Sequence, residues 1–298
     1  MNKKCYFHLP GLFEFYELYK LFIPLFFEHR DYFYDFCEIG SIYGAPSDCL
    51  WGGGRVGYGE DNVDDVLKLT EEYNISSRLT FSNSLLNPEH LSDKRCNNLC
   101  RKFNEGSVRN GVIVHSDLLL EYIKTHYPGL YLVSSTTKVI TDYKLLNIEL
   151  NRSDFSYVVI DFRLNKHFDF LSSLPNHIKG KVEFLCNECC DFNCHERKEC
   201  YEYVSHLSLG DNVTEHVCHG INSSHGYSFS EAMKNKGFIS INDITDKYIP
   251  LGFTNFKIEG RSLGSALILE FLLYYLTKPE YHINVREAIY LDNSLDLF

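Results

Sequence analysis

Apolar positions follow two alternating patterns along the chain. Short runs rich in Val, Ile, Tyr and Phe are followed by longer segments in which apolar residues recur at helical spacing. The short runs predict strands at 4–10, 34–44, 76–86, 110–116, 130–137, 157–163, 181–187 and 253–261. Because these runs lack a strict apolar–polar alternation, they are typical of parallel strands that are covered on both faces.

The longer segments predict helices between the strands. They lie at 11–29, 62–74, 91–104, 117–129, 142–153, 166–180 and 263–278. We expect Pro24 to kink the first of them, because proline lacks the backbone N–H that a helix interior uses. The alternation is interrupted once, at 186–245, between the seventh and eighth predicted strands.

Eight strand–helix units in 298 residues predict a (β/α)8 barrel of the TIM type. We assign residues 1–298 to one domain, with a cysteine-rich loop region at 186–245. An open doubly wound sheet is the alternative fold. The glycine-rich stretch "WGGGRVGYG" (51–59) comes close to a phosphate-binding motif, but no helix follows it directly.

Charge and hydropathy narrow the class of partner. The formal net charge is −11 and no basic run occurs, so nucleic acid is an unexpected partner. No apolar stretch reaches the ~18 residues of a membrane span. Acidic and basic residues interrupt the apolar start of the chain, which argues against an export signal. We therefore expect a cytoplasmic protein with reduced thiols.

The carboxyl ends of the predicted strands carry the candidate chemistry, because barrel enzymes place their active sites there. The motif "FKIEGR" (256–261) offers Lys257, Glu259 and Arg261 on one parity of the last strand. These three side chains could form a structural ion-pair ladder, or Arg261 could bind a substrate carboxylate together with Arg55 or Arg163. Both interpretations stay open at this point.

Cysteines crowd just after the seventh strand. Cys190 and Cys194 are separated by three residues, which is a spacing found in metal sites, and Cys218 could add a third ligand. Either Cys200 or Cys49 could be the fourth. Four thiolates suit structural zinc or an iron–sulfur cluster. Simple packing and a nucleophilic thiol near His195, His216 or His219 are the alternatives.

The remaining cysteines have other predicted roles. Cys96 and Cys100 lie one helical turn apart and should be ordinary surface or packing thiols. Cys186 lies inside the seventh strand and should face the barrel wall or lumen as a small apolar residue. Cys189 immediately precedes Cys190, so we expect the two side chains to diverge and only Cys190 to be a ligand.

The segment "NECCDFNCHERKECY" (187–201) and "FKIEGR" together resemble the collagenase-like peptidase family, U-thirty-two. Weaker similarity extends over nearly the whole chain. One position departs from the family pattern: Cys200 replaces a histidine. Some members of this family are similar to iron–sulfur proteins that carry a 4Fe–4S cluster at the barrel mouth and support oxygen-independent hydroxylation.

The resemblance implies three functions. The first is an iron–sulfur barrel enzyme that acts on a small aromatic or carboxylate-bearing substrate and pairs with a related barrel subunit. The second is a metal- or thiol-dependent peptidase, and the third is a non-catalytic barrel that zinc stabilises for partner binding. For an enzyme, we assign catalysis to Lys257, Glu259 and Asp161, and substrate binding to Arg55, Arg163, Arg261 and Asn187. The candidate metal ligands are Cys190, Cys194, Cys218, Cys200 and Cys49.

Overall fold

Eight parallel strands close into a barrel in chain order, and the last strand pairs with the first. The computed structural model describes residues 3–53, 62–220, 227–260 and 263–291. The strands are β1 Cys5–Pro10, β2 Cys37–Gly44, β3 Ser76–Phe81, β4 Gly111–Val114, β5 Tyr131–Ser134, β6 Phe155–Val159, β7 Val182–Leu185 and β8 Asn255–Lys257. The predicted (β/α)8 barrel is therefore confirmed, and the open-sheet alternative is wrong.

Helices surround the barrel and follow the strands as the pattern predicts. They are α1 Tyr16–Glu28, α2 Val63–Glu72, α3 Lys94–Glu105, α4 Asp117–His126, α5 Tyr143–Asn151, α6 Phe168–Ser173, α7 Asn176–Lys179, α8 Arg197–Leu209, α9 Phe229–Lys234, α10 Ile241–Asp243, α11 Ile249–Leu251, α12 Ser265–Leu276 and α13 His282–Leu291. The single helix predicted at 166–180 is divided into α6 and α7 by Pro175. Across the described ranges, none of these helices has the length and apolar character needed to cross a bilayer.

The region between β7 and β8 contains more regular structure than the predicted loop. It holds α8, α9 and α10, and a π-helical turn at Ile244–Tyr248 continues α10 into α11. Phe229 of α9 packs on Phe271 of α12, with ring centroids 4.8 Å apart. The inserted region is therefore fixed against the outer helices as well as against the barrel mouth.

Both faces of the strands are buried, which explains why the sequence shows no clean alternation. Phe184 of β7 and Phe256 of β8 point outward into the main core between barrel and helices. Leu185 points into the lumen, where a second apolar cluster lies. That cluster consists of Tyr43, Ile113, Val133, Val159, Phe162 and Leu185. Charged residues also face the lumen, and they form part of the candidate site.

Candidate functional site

A buried charge cluster occupies the barrel lumen. Arg78 Nη1 donates a hydrogen bond of 2.6 Å to Glu183 Oε2, and both side chains are almost fully buried. Lys257 Nζ lies 3.4 Å from Glu183 Oε1, and His8 Nε2 lies 3.5 Å from Glu183 Oε2. Lys257 also sits 3.3 Å from the centroid of the Tyr43 ring. The predicted catalytic lysine is thus held by a carboxylate on the neighbouring strand.

Burial and neighbouring charges set the protonation states in this cluster. Burial by itself would raise the pKa of Glu183, but Arg78, His8 and Lys257 outweigh it and lower that pKa to about 2. Burial, and then the charge of Arg78, lowers the pKa of His8 to about 3. At neutral pH the carboxylate is therefore ionised and the imidazole is neutral, with Nδ1 paired to Ser41 Oγ at 2.8 Å.

The loop after β7 is joined to the end of β8 through Asn187. Its side-chain Nδ2 donates to Glu259 O at 2.9 Å, and its Oδ1 accepts from Glu259 N at 2.7 Å. The backbone N–H of Cys189 then donates to Glu259 Oε2 at 3.1 Å. Asn187 is completely buried. Its two bonds to the Glu259 backbone show it fixing β8 relative to the loop, whereas sequence reasoning assigned it to substrate binding.

Three candidate metal-ligand atoms lie close together where the loop after β7 contacts the end of β8. Within the described part of the chain, the one group of three His, Cys, Asp or Glu ligand atoms that all lie within 4.8 Å of one another is Glu188, Cys189 and Glu259. Glu259 was a predicted site residue, but Glu188 and Cys189 were not. The side chains of Cys189 and Cys190 have different surroundings. The thiol in this group belongs to Cys189, whereas Cys190 was the predicted ligand. The sequence feature that could have identified Cys189 is the carboxylate of Glu188 directly before it in "NECC".

Asp161 and Arg163, which were predicted for catalysis and substrate binding, bind each other. Asp161 follows β6, and its Oδ1 accepts from Arg163 Nε at 2.7 Å while its Oδ2 accepts from Nη2 at 2.9 Å. Arg163 Nη1 donates to Cys194 O at 3.1 Å. This hydrogen bonding raises the pKa of Arg163. The fork of Arg163 is therefore already occupied by an internal carboxylate and cannot also take a substrate carboxylate bidentately.

Arg197, in the first turn of α8, is a site residue that sequence reasoning did not assign. Arg197 is 2% exposed, and its guanidinium lies 4.9 Å from the centroid of the Phe162 ring and 5.1 Å from that of Tyr201. Nη2 binds Glu188, and Nε lies 3.7 Å from Asp161 Oδ2. Nothing in the described ranges accepts a hydrogen bond from Nε or Nη1.

Cys190 and Cys194 lie together at the barrel mouth. Both are half-buried, and Cys190 packs against the apolar cluster of the lumen. Burial and then the charge of Glu188 raise the pKa of the Cys190 thiol to about 12, and the nearby Arg197 opposes that rise. Burial therefore favours the protonated form of the Cys190 thiol at neutral pH.

The other predicted ligands differ in burial and in position. Cys200 is half-buried in the first turn of α8, and Cys218 is exposed. A methyl group at Gly220 would lie 3.4 Å from Cys218 Sγ and 3.8 Å from Asp191 Cβ, so Cys218 returns close to the Cys190–Cys194 loop. Cys49 is buried in the segment after β2. Its thiol lies next to that of Cys96 and raises the pKa of Cys96.

The remaining cysteine predictions agree with the structure. Cys96 and Cys100 are completely buried on α3 and belong to the main core, as expected for packing thiols. Cys186 is also completely buried in that core. Cys186 therefore faces the barrel wall, which is one of the two positions predicted for it.

Two predicted carboxylate-binding residues, Arg55 and Arg261, lie outside the described residues. The proposed ladder of Lys257, Glu259 and Arg261 therefore stays a prediction. For the nucleophile alternative, no histidine nitrogen in the described ranges hydrogen-bonds to Cys190 or Cys194. Of the three histidines considered, His219 pairs with Glu196 at 3.3 Å.

Comparison with known proteins gives one informative likeness. No family model and no curated protein matches this chain. The solved structure of a U32 (U-thirty-two) peptidase superposes with a TM-score of 0.51 at 15% sequence identity, covering 87% of this chain and 93% of that chain. At this identity the likeness concerns the fold alone. The chain therefore has a U32-like (β/α)8 barrel fold.

Proposed function

We propose that this protein is a U32-like barrel enzyme that binds a 4Fe–4S cluster at the barrel mouth and acts on a small aromatic or carboxylate-bearing substrate. The reaction class is oxygen-independent hydroxylation. The observation that carries the proposal is the pair Cys190 and Cys194, half-buried beside the guanidinium of Arg197, whose Nε and Nη1 have no acceptor among the described residues. Anionic sulfur would satisfy those buried donors.

We assign a cluster rather than a single zinc ion, because the described thiols are not grouped at the spacing that a zinc site requires. A tetrahedral zinc site with Zn–S bonds of about 2.3 Å holds its sulfur atoms about 3.8 Å apart. Within the described ranges no three thiols approach to within 4.8 Å of one another. A four-iron cube occupies the space between its thiolates and so spreads them farther apart. We assign Cys190, Cys194, Cys218 and Cys200 as ligands, since Cys49 packs with Cys96 instead.

The chain's own residues supply binding and charge around that group, while the bound cluster would supply one-electron redox chemistry. Arg163 is occupied by Asp161, so Arg55 and Arg261 remain the candidates for a substrate carboxylate. Glu259 is half-buried at the mouth and is the candidate for moving a proton. Lys257 is buried below it and contributes positive charge from the lumen.

Anaerobic reconstitution with iron and sulfide tests the proposal. The wild type should turn brown, with broad absorption near ~400 nm. Cys190→Ser, Cys194→Ser and Cys218→Ser should lose this absorption, whereas the packing variants Cys96→Ser and Cys100→Ser should retain it. Comparing Cys200→Ser with Cys49→Ser identifies the fourth ligand. A wild type that takes up no iron, or a Cys190→Ser variant that loads fully, would overturn the proposal.

A related barrel subunit as partner and a cytoplasmic location remain predictions from the resemblance and from the composition. Size-exclusion chromatography of the protein purified from its native host, followed by identification of any second chain, would test the partnership. A complex with a second barrel of this type is the expected result.

A further inference from the structure

The guanidinium of Arg197 is buried with part of its hydrogen-bonding capacity unused. It is 2% exposed, and the rings of Phe162 and Tyr201 have their centroids 4.9 and 5.1 Å from it. Glu188 accepts from Nη2, and Asp161 Oδ2 lies 3.7 Å from Nε, beyond hydrogen-bond distance, so that neither Nε nor Nη1 has a hydrogen-bond acceptor in the described ranges. Buried donors of a charged group are costly to leave unpaired, so this arrangement indicates an anionic acceptor at the same position.

Glu188 fixes Arg197 and Cys190 relative to each other. One carboxylate oxygen, Oε1, accepts from the backbone N–H of Cys190 at 3.0 Å, and the other, Oε2, binds Arg197 Nη2. Both residues also pack at Phe162: the guanidinium lies 4.9 Å from the centroid of its ring, and Cys190 packs against the apolar cluster that contains it. A thiolate is a stronger acceptor than a thiol, because charge-assisted hydrogen bonds are stronger than neutral ones.

We propose that Arg197 is a positioning residue that donates an N–H hydrogen bond to the sulfur of Cys190 when that sulfur is a metal-bound thiolate. Glu188 aims the guanidinium, and the rings of Phe162 and Tyr201 hold its plane. The identity of the metal group as a cluster rests on the proposed function. The coupling between Arg197 and Cys190 requires only that Cys190 binds a soft metal.

A double-mutant cycle with Cd²⁺ as the probe tests this coupling. The reduced apo protein is titrated with Cd²⁺, and binding is followed by the ultraviolet thiolate-to-metal charge-transfer absorption. Arg197→Lys keeps the charge but not the planar fork. It should weaken Cd²⁺ binding about tenfold or more, as the loss of an outer-shell partner typically does. In a Cys190→Ser background the same substitution should change the affinity less than about twofold.

Three results would overturn the inference. Arg197→Lys could bind Cd²⁺ as tightly as the wild type, or it could lose the same factor in both backgrounds, which would indicate a purely structural role. A wild type that shows no thiolate absorption with Cd²⁺ would also refute it. Thermal unfolding of each apo variant separates these results from simple loss of folding.

Failure of the proposed function can be distinguished from failure of the inference about Arg197. If iron and sulfide do not load but Cd²⁺ shows the predicted coupling, the cluster is wrong and the role of Arg197 stands. If the cluster does load, its midpoint potential should shift to more negative values in Arg197→Lys, because fewer hydrogen bonds then stabilise the reduced sulfur ligands. An unchanged potential would count against the inference.

Discussion

Arg78 and Glu183 form the tightest charge contact of the lumen, and the balance of charge around them is uneven. Two cations, Arg78 and Lys257, face one carboxylate, while His8 stays neutral. Arg78 also packs over the ring of Tyr157, 4.6 Å from its centroid. Each member of this cluster therefore depends on its neighbours for charge compensation.

Removing one partner of this pair should be costly. Arg78→Leu leaves Glu183 buried without its main counter-charge, and we expect a loss of about 3–5 kcal/mol in the free energy of unfolding. The double variant Arg78→Leu/Glu183→Leu should recover much of that loss. As a control, Arg101→Leu breaks the exposed pair with Glu105 and should cost about 1 kcal/mol or less. Urea unfolding measures all three, and equal losses at both sites would contradict the prediction.

The lumen also predicts how stability depends on pH. Because folding lowers the pKa of His8 from 6.5 to about 3, the unfolded chain binds more protons between these values, and stability falls as the pH falls through that range. Glu183, lowered from 4.5 to about 2, adds a loss at lower pH. Unfolding free energies measured between pH 6.5 and 4.5 should therefore depend less on pH in His8→Gln than in the wild type. Parallel curves would show that His8 is not responsible.

Sequence reasoning at this scale failed where chemistry depended on barrel closure. The prediction that Cys190 and Cys194 act together needs only their local spacing, and it stays a prediction. Glu183, however, lies in the apolar run "VEFL", and its partner Arg78 is 105 positions away. No periodicity indicates which charged residues of different strands meet across a closed lumen.

At the scale of elements, the ends of β7 and β8 form one unit through the side chain of Asn187. Both of its hydrogen bonds go to the backbone of Glu259, which lies two residues beyond the end of β8. The carbonyl of Asn187 in turn accepts from the hydroxyl of Tyr227. This side chain therefore sets the position of the carboxylate that meets Cys189.

Truncating the side chain of Asn187 should break the connection between the ends of β7 and β8. Asn187→Ala removes both hydrogen bonds that this side chain makes to the backbone of Glu259, and we expect a loss of about 2–3 kcal/mol in the free energy of unfolding. Asn187→Asp keeps the shape but replaces the donor with a second acceptor, so it should not rescue stability. Asn193→Ala, at an exposed position of the same loop, is the control and should stay within about 0.5 kcal/mol of wild type. Chemical unfolding measures the stability of each variant. An Asn187→Ala variant as stable as the wild type would refute the structural role of Asn187.

Elements outside the inserted region were predictable because their apolar pattern is local. The strand boundaries agree with the sequence to within a few residues, since turn residues bracket each run. Helix α8 was missed because its sequence, "RKECYEYVSHLSL", mixes polar and apolar residues without a clear apolar face. That helix nevertheless carries Arg197 and Cys200 to the mouth.

For the whole molecule, hydrogen bonds join the beginning of the inserted region to its later part and attach that part to α12. Ile239 N donates to Cys186 O at 2.9 Å, and Asn235 Nδ2 donates to Cys190 O at 2.9 Å. Tyr275 of α12 binds Ile239 O at 2.8 Å. The alternation of strands and helices predicted the barrel, but the docking of this region depends on contacts between distant segments, which the sequence pattern does not specify.

The segment 211–220 should respond to occupation of the mouth. It has no regular secondary structure after α8, and both Glu215 and Cys218 are exposed. A protease that cuts after glutamate should therefore cleave first at Glu215 in the apo protein. If Cys218 becomes a metal ligand, the segment is fixed against the Cys190–Cys194 loop, and cleavage should slow about tenfold or more. Cys218→Ser should lose this protection, and the packing variant Cys100→Ser should keep it. Mass spectrometry of the fragments over time measures both effects, and equal cleavage rates with and without metal would show that Cys218 takes no part in the site.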